Sequence, residues 1–136
     1  MKIQNEGDFM IWIIPCNKKY YDVENAFDKL PKIDWKQSTN VQIGDTVYIY
    51  VGKPIQAILF KCNVNKVDLP TMEIDDTAYH IDNAVYGNYG RYMELEKVDA
   101  YLQGEMTIDK LRSCGFENNI QGPIRCPKCL ENLLKA

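Results

Sequence analysis

The stretch Asp34-Trp35-Lys36-Gln37-Ser38-Thr39-Asn40 holds the residues best suited to recognition chemistry. A flat indole beside side-chain donors and acceptors offers a nucleobase both a stacking face and partners for its polar edge. No apolar period surrounds Trp35, so its ring is expected at the rim of a cleft, with Gln37 and Ser38 beside it. The competing reading folds the ring back as a lid over the core. Trp12 sits inside an apolar run, where core packing is the default, although its indole N–H needs a partner and a barrel interior can open onto a pocket. Pro15-Cys16-Asn17 follows that run, at a chain end that can present polar groups to a cavity mouth; Asn17 could equally cap a turn. Tyr48 and Tyr50 share one strand face and either line the pocket or cover the barrel. Lys18, Lys19, Lys36 and Lys53 flank these positions in sequence and could contact phosphates, a role most surface lysines do not have.

Other chemistries lack their parts. The chain has one histidine, His80, with no Ser/His/Asp arrangement and no Gly-rich phosphate loop, so no enzyme is expected. Asp75-Asp76 and Asp82 lie in a polar stretch that reads as a solvated loop. Cys126-Pro127-Lys128-Cys129 is a lone CxxC, whereas a structural zinc site needs about four ligands; only Cys114 and His80 could complete it, and no metal or cofactor is expected. The CxxC also lies too near the C-terminus for a thioredoxin-like role.

The elements around these residues are short. Met10–Pro15 reads as a buried strand. Asp22 caps a helix running to Leu30, with Val23, Ala26, Phe27 and Leu30 as its apolar stripe and Pro31 ending it. The segment Ile33–Val41 looks irregular. A turn at Ile43-Gly44-Asp45-Thr46 leads into a strand over Val47–Val51, and Gly52-Lys53-Pro54 turns the chain into a second strand, Ile55–Val67. Asp68–Tyr89 is expected to be a long loop with at most a short strand. Arg91–Tyr101 is another strand, a short helix begins at Thr107 or Asp109 and ends at Gly115, and Pro127 opens a last helix through Leu134.

With 136 residues, the chain has the length of one domain and can bury a core without metal or disulfides. Its longest apolar run, Phe9–Pro15, is far too short to span a bilayer, and no basic leader precedes it, so a cytoplasmic protein without membrane contact is expected. Five cysteines, an odd count, argue for reduced thiols. The net charge of −3 is unevenly spread: residues 1–67 carry nine lysines against seven acids, residues 68–136 seven basic residues against twelve acids. A face that meets phosphate is therefore expected from the first half.

The series Trp12…Pro15-Cys16-Asn17, Trp35-Lys36-Gln37-Ser38 and Gly44-Asp45-Thr46-Val47-Tyr48-Ile49-Tyr50, followed by Ala57–Val67, resembles the EVE domain family. That family belongs to the PUA-like superfamily and is related to the YTH readers of methylated adenine. The resemblance spans about residues 9–125. It implies an α+β fold, a small, partly closed PUA-like β-barrel with flanking short helices. It also implies non-catalytic recognition of a modified base of DNA or RNA, single-stranded or flipped out, often beside restriction or defence proteins. Trp35 matches a pocket aromatic, and Asn17 and Ser38 match pocket polar positions. Where the family commonly opens with a Lys-Ser-Glu-Pro-like run, this chain has Ile14-Pro15-Cys16-Asn17 and looks closer to the branch attached to restriction enzymes. The expected pocket is thus Trp35, Asn17, Ser38, Gln37, Trp12, Tyr50 and Cys16, with Lys18, Lys36 and Lys53 on phosphates. A sensor of a free nucleobase or other small molecule, using the same pocket, is the rival reading, and a protein-docking module acting through the Asp68–Tyr89 loop is a third.

Overall fold

The apolar run beginning at Phe9 becomes a central strand, β1 (Ile11–Cys16), nearly every residue of which is shielded. Such continuous apolarity is what a strand covered on both faces requires. The computed structural model describes residues 9–71, 73–74, 79 and 91–135. The other strands are β2 (Lys32–Lys36), β3 (Thr46–Val51), β4 (Ala57–Leu69), β5 (Tyr92–Ala100) and β6 (Ile124–Arg125). They form a six-stranded mixed sheet in the order β2-β5-β4-β3-β1-β6. β1 and β3 run parallel, and the other neighbours are antiparallel.

Register shifts at Ile49/Tyr50 in β3 and at several points along β4 mark β-bulges. Bulges bend and twist a sheet; among the described residues the ladder stays open, with β2 and β6 as its edge strands. Helix α1 (Val23–Lys29) packs into the larger of the two core clusters. Its N-cap is Asp22, whose Oδ1 accepts from Asn25 N at 3.3 Å. It buries Val23, Ala26 and Phe27 in the core cluster that also holds Trp12, Ile14, Val47 and Ile49, with the Phe27 ring 5.0 Å from that of Phe60. The opposite face carries Ile13, Tyr48 and Tyr50 beneath α2 (Ile108–Ser113) and α3 (Lys128–Lys135). Thr107 caps α2, and the Tyr48 hydroxyl donates to Leu134 O at 2.6 Å, tying α3 to the sheet. The result is the small α+β domain with short flanking helices expected from the sequence, built on a sheet that does not close.

Most elements fall within two residues of their expected bounds. The exceptions are β6, which the sequence did not suggest, and Ile33–Val41, which is not irregular throughout: Lys32–Lys36 pairs with β5, placing Trp35 opposite Met93. Period-two geometry sends Ile33 and Trp35 into the core. Asp34 disguised this strand. It is fully buried, which is tolerable because its Oδ2 accepts from Glu73 N at 2.5 Å and Ile74 N at 2.7 Å. The remainder of the expected loop, with Asp75-Asp76, His80 and Asp82, lies outside the described residues.

Gly44-Asp45 is a structural hub. Gly44 has φ +96°, and a Cβ there would stand 2.6 Å from the Phe9 ring, so only glycine fits without rearrangement. Asp45 is wholly buried, and its two oxygens accept from Met10 N (3.0 Å), Trp12 Nε1 (3.0 Å) and Gln42 N (2.9 Å). The carboxylate thereby joins the start of β1 to the turn before β3.

Candidate functional site

Because β1 and β3 are parallel and end in register at Cys16 and Val51, both chains leave the sheet at the same edge. A crevice beyond the carboxyl ends of parallel strands is a recurrent ligand site. Here it is an open cleft of about 940 Å³, towards the upper end of the roughly 300–1,000 Å³ typical of ligand pockets. Its walls come from four segments: the end of β1 with the turn Asn17–Tyr20, the turn Gly52-Lys53-Pro54 after β3, the end of β2 with Ser38, and residues 120–123 before β6.

The first wall is fixed by local hydrogen bonds. Asn17 O accepts from Tyr20 N at 3.0 Å and Tyr21 N at 3.3 Å, while Asn17 Oδ1 accepts from Lys19 N at 2.9 Å. Asn17 thus builds the Asx turn, the alternative weighed for it above, and still lines the cleft. The fourth wall is pinned by Arg112, whose guanidinium donates to Phe116 O (3.5 Å), Asn118 O (3.3 Å) and Asn119 Oδ1 (3.2 Å). Ile120 then anchors that segment in the core beneath α2 and α3.

The charged residues that line the cleft are all of one sign. Lys18, Lys19, Lys36 and Lys53 all line it, and no lining residue is acidic. Lys18 is shared with Glu24, 2.7 Å away, whose hydrogen bond raises the lysine pKa further. Lys19 and Lys53 are exposed and make no ion pair among the described residues. A chain of net charge −3 thus gathers four cations around one concavity.

Most of the expected pocket converges here: Cys16, Asn17, Trp35, Ser38, Tyr50, Lys18, Lys36 and Lys53 all line the cleft. Trp35, however, is not an open ring at the rim. It is 1 % exposed and packs edge-on against Tyr21, with centroids 5.2 Å apart, so it forms the cleft floor. Strand pairing places it there. Gln37 points elsewhere as well: its Oε1 accepts from Asp68 N at 2.8 Å and its Nε2 donates to Thr39 O at 3.2 Å, holding the β2 exit to the end of β4. Trp12 is a core residue whose indole N–H is satisfied by Asp45. Neither Gln37 nor Trp12 lines the cleft.

The titratable groups at the floor are quiet. Burial pushes the Cys16 thiol up to about 12, opposed by nearby Lys18, so it is a protonated thiol at neutral pH and a poor nucleophile. Burial also raises the Tyr50 hydroxyl, with Arg112 opposing. Among the described residues no three His, Cys, Asp or Glu side chains gather as a metal site would require. Cys114, Cys126 and Cys129 form no disulfide among the described residues.

Sequence reasoning missed Tyr20, Pro54 and the segment 120–123. The Gly122-Pro123 pair was the available signal for a turn, but nothing in it said which strand the turn would face. Tyr20 was passed over because it follows a basic dipeptide rather than a recognisable motif.

The class follows from this architecture: the chain has the PUA-like α+β fold, an open mixed sheet whose cleft lies where the parallel pair ends. In solved structures the same fold occurs in an ASCH protein of Zymomonas mobilis, with a TM-score of 0.62 at 8% identity over 93% of this chain and 94% of that one. A Pseudomonas putida protein aligns with a TM-score of 0.60 at 10% identity, covering 92% and 97% of the two chains. A Leishmania major protein gives 0.58 at 11% identity, covering 96% and 95%. No family model and no curated protein matches the sequence. No helix among the described residues is long and apolar enough to cross a membrane.

Proposed function

We propose that this chain is a non-catalytic, nucleic-acid-binding module that takes one unpaired base of DNA or RNA into the cleft. The observation that carries the reading is the convergence of four lysines, one of them paired with Glu24, on one open cavity with no acidic lining residue, beside Asn17 and Ser38. Lysines at a cleft mouth supply sequence-independent phosphate contacts. The polar side chains and the apolar floor of Trp35, Ile14 and Cys16 suit the edge and face of a base. Extruding a base from a duplex costs a few kcal/mol, so unpaired substrates should bind best. The ordered EVE-like segments support the finer reading, a modified base whose methyl group contacts the apolar floor. They also support a cytoplasmic role beside restriction or defence proteins.

The test is a binding panel of short single-stranded oligonucleotides, unmodified, methylated and hydroxymethylated, titrated at several salt concentrations. Binding that weakens with salt and favours one modification supports the module. Salt-independent binding of free nucleobases alone replaces it with the sensor reading, which the acidic net charge favours; no binding of either refutes both.

A further inference from the structure

If a base enters this cleft, it needs a π-face, and the indole assigned to that task by sequence is closed. Trp35 presents 1 % of its surface and is already engaged edge-on by Tyr21. Tyr50 is 6 % exposed and its ring belongs to the core under α2 and α3. One aromatic remains. Tyr20 is half-buried, lines the cleft, and rests its inner side against the core around α1. Among the described residues its ring has no aromatic neighbour and its hydroxyl no hydrogen bond. Its backbone is held by the hydrogen bond to Asn17 O.

We propose that Tyr20 is the platform on which the bound base stacks, with Lys19 of the same turn on the adjoining phosphate. A ring anchored on one side and open on the other loses little entropy when a base covers it, and a cation one residue away matches the spacing of base and backbone in a single strand. Lys53 and Pro54 of the turn after β3 line the same cleft and would contact the strand beyond the base. This assignment rests on the function proposed above and adds the residue that confers affinity for the base itself.

The experiment uses the full chain and a short single-stranded oligonucleotide carrying 2-aminopurine, a base whose fluorescence is quenched by stacking. Parent protein should quench on binding. Tyr20→Leu should bind about 5- to 150-fold more weakly, as expected for one lost base–aromatic stack, and should not quench at saturation. Tyr20→Phe and Tyr20→Trp should retain both affinity and quenching, because each keeps a π-face. The loss of quenching at saturation in Tyr20→Leu, which keeps an apolar side chain against the core, is the readout that a merely structural role would not move. Equal affinity and quenching in Tyr20→Leu and parent would overturn the assignment while leaving nucleic-acid binding intact. Loss of quenching in Tyr20→Phe as well as Tyr20→Leu would also overturn it. A parent that binds no oligonucleotide under any condition refutes the proposed function and this assignment together.

Discussion

Replacing Lys19 and Lys53 with glutamine removes two cleft charges without touching the core, since both side chains are exposed and unpaired among the described residues. For single-stranded nucleic acid, log K falls with log[salt] by about 0.7 per phosphate neutralised. Two to four engaged lysines then give a slope of about −1.4 to −2.8. Raising salt from about 50 to about 200 mM should weaken the parent roughly 7- to 50-fold. The double variant should flatten the slope by about 1.4, and fluorescence anisotropy with a labelled oligonucleotide measures both slopes. Net charge alone predicts something different. Removing two positive charges from an already acidic chain shifts binding at every salt concentration but transfers no specific counterions. A parallel displacement with unchanged slope would therefore refute the claim that these lysines sit on phosphates. A parent slope near zero would refute the phosphate footprint altogether.

Trp35→Ala should cost about 3–5 kcal/mol of stability in urea unfolding, as for other large core truncations, rather than acting on binding alone. Asp45→Ala strands three donors, Met10 N, Trp12 Nε1 and Gln42 N, and should lower stability by several kcal/mol, with the indole environment of Trp12 shifting in fluorescence. Gly44→Ala forces a Cβ into the Phe9 ring at positive φ and should destabilise by more than about 1 kcal/mol in the same assay. The Cys16 thiol is raised from 9.0 to about 12 in the fold, so the folded state holds its proton more tightly than the unfolded chain. Its contribution is complete below pH 9.0 and is lost as pH climbs towards about 12. Urea midpoints should fall over that window, and less steeply in Cys16→Ala.

The sequence was most legible where local pattern and tertiary role agree. The run from Phe9, the Asp22 cap, the Thr107 cap and Pro127 each name their element through a mechanism that needs no distant partner. β2 is the opposite case. Its five residues include a buried carboxylate and end in a polar run, and what makes them a strand is β5, some sixty residues away, together with the amides of Glu73 and Ile74. Misreading that strand misplaced both Trp35 and Gln37. Period-two geometry alone would have turned one inward and, with Asp68 supplying its partners, enclosed the other.

The cleft survived that error for a physical reason. Asn17, Ser38, Tyr50 and the lysines lie at or just beyond strand ends, and a parallel pair delivers such ends to one edge whatever the exact registers. Strand termini are therefore a more robust guide to a site than the orientation of any single side chain. The same logic explains why Tyr20 and the segment 120–123 escaped notice. Tyr20 acquires its place only when the Asn17 turn is seen to fold against α1, and the segment 120–123 only when a two-residue strand, β6, docks on β1. The lesson for this molecule is a division of labour. Gly44-Asp45, the most conspicuous motif, holds the scaffold together, whereas the recognition proposed above would fall to an inconspicuous Asn-Lys-Lys-Tyr turn whose only marks are charge and one half-open ring.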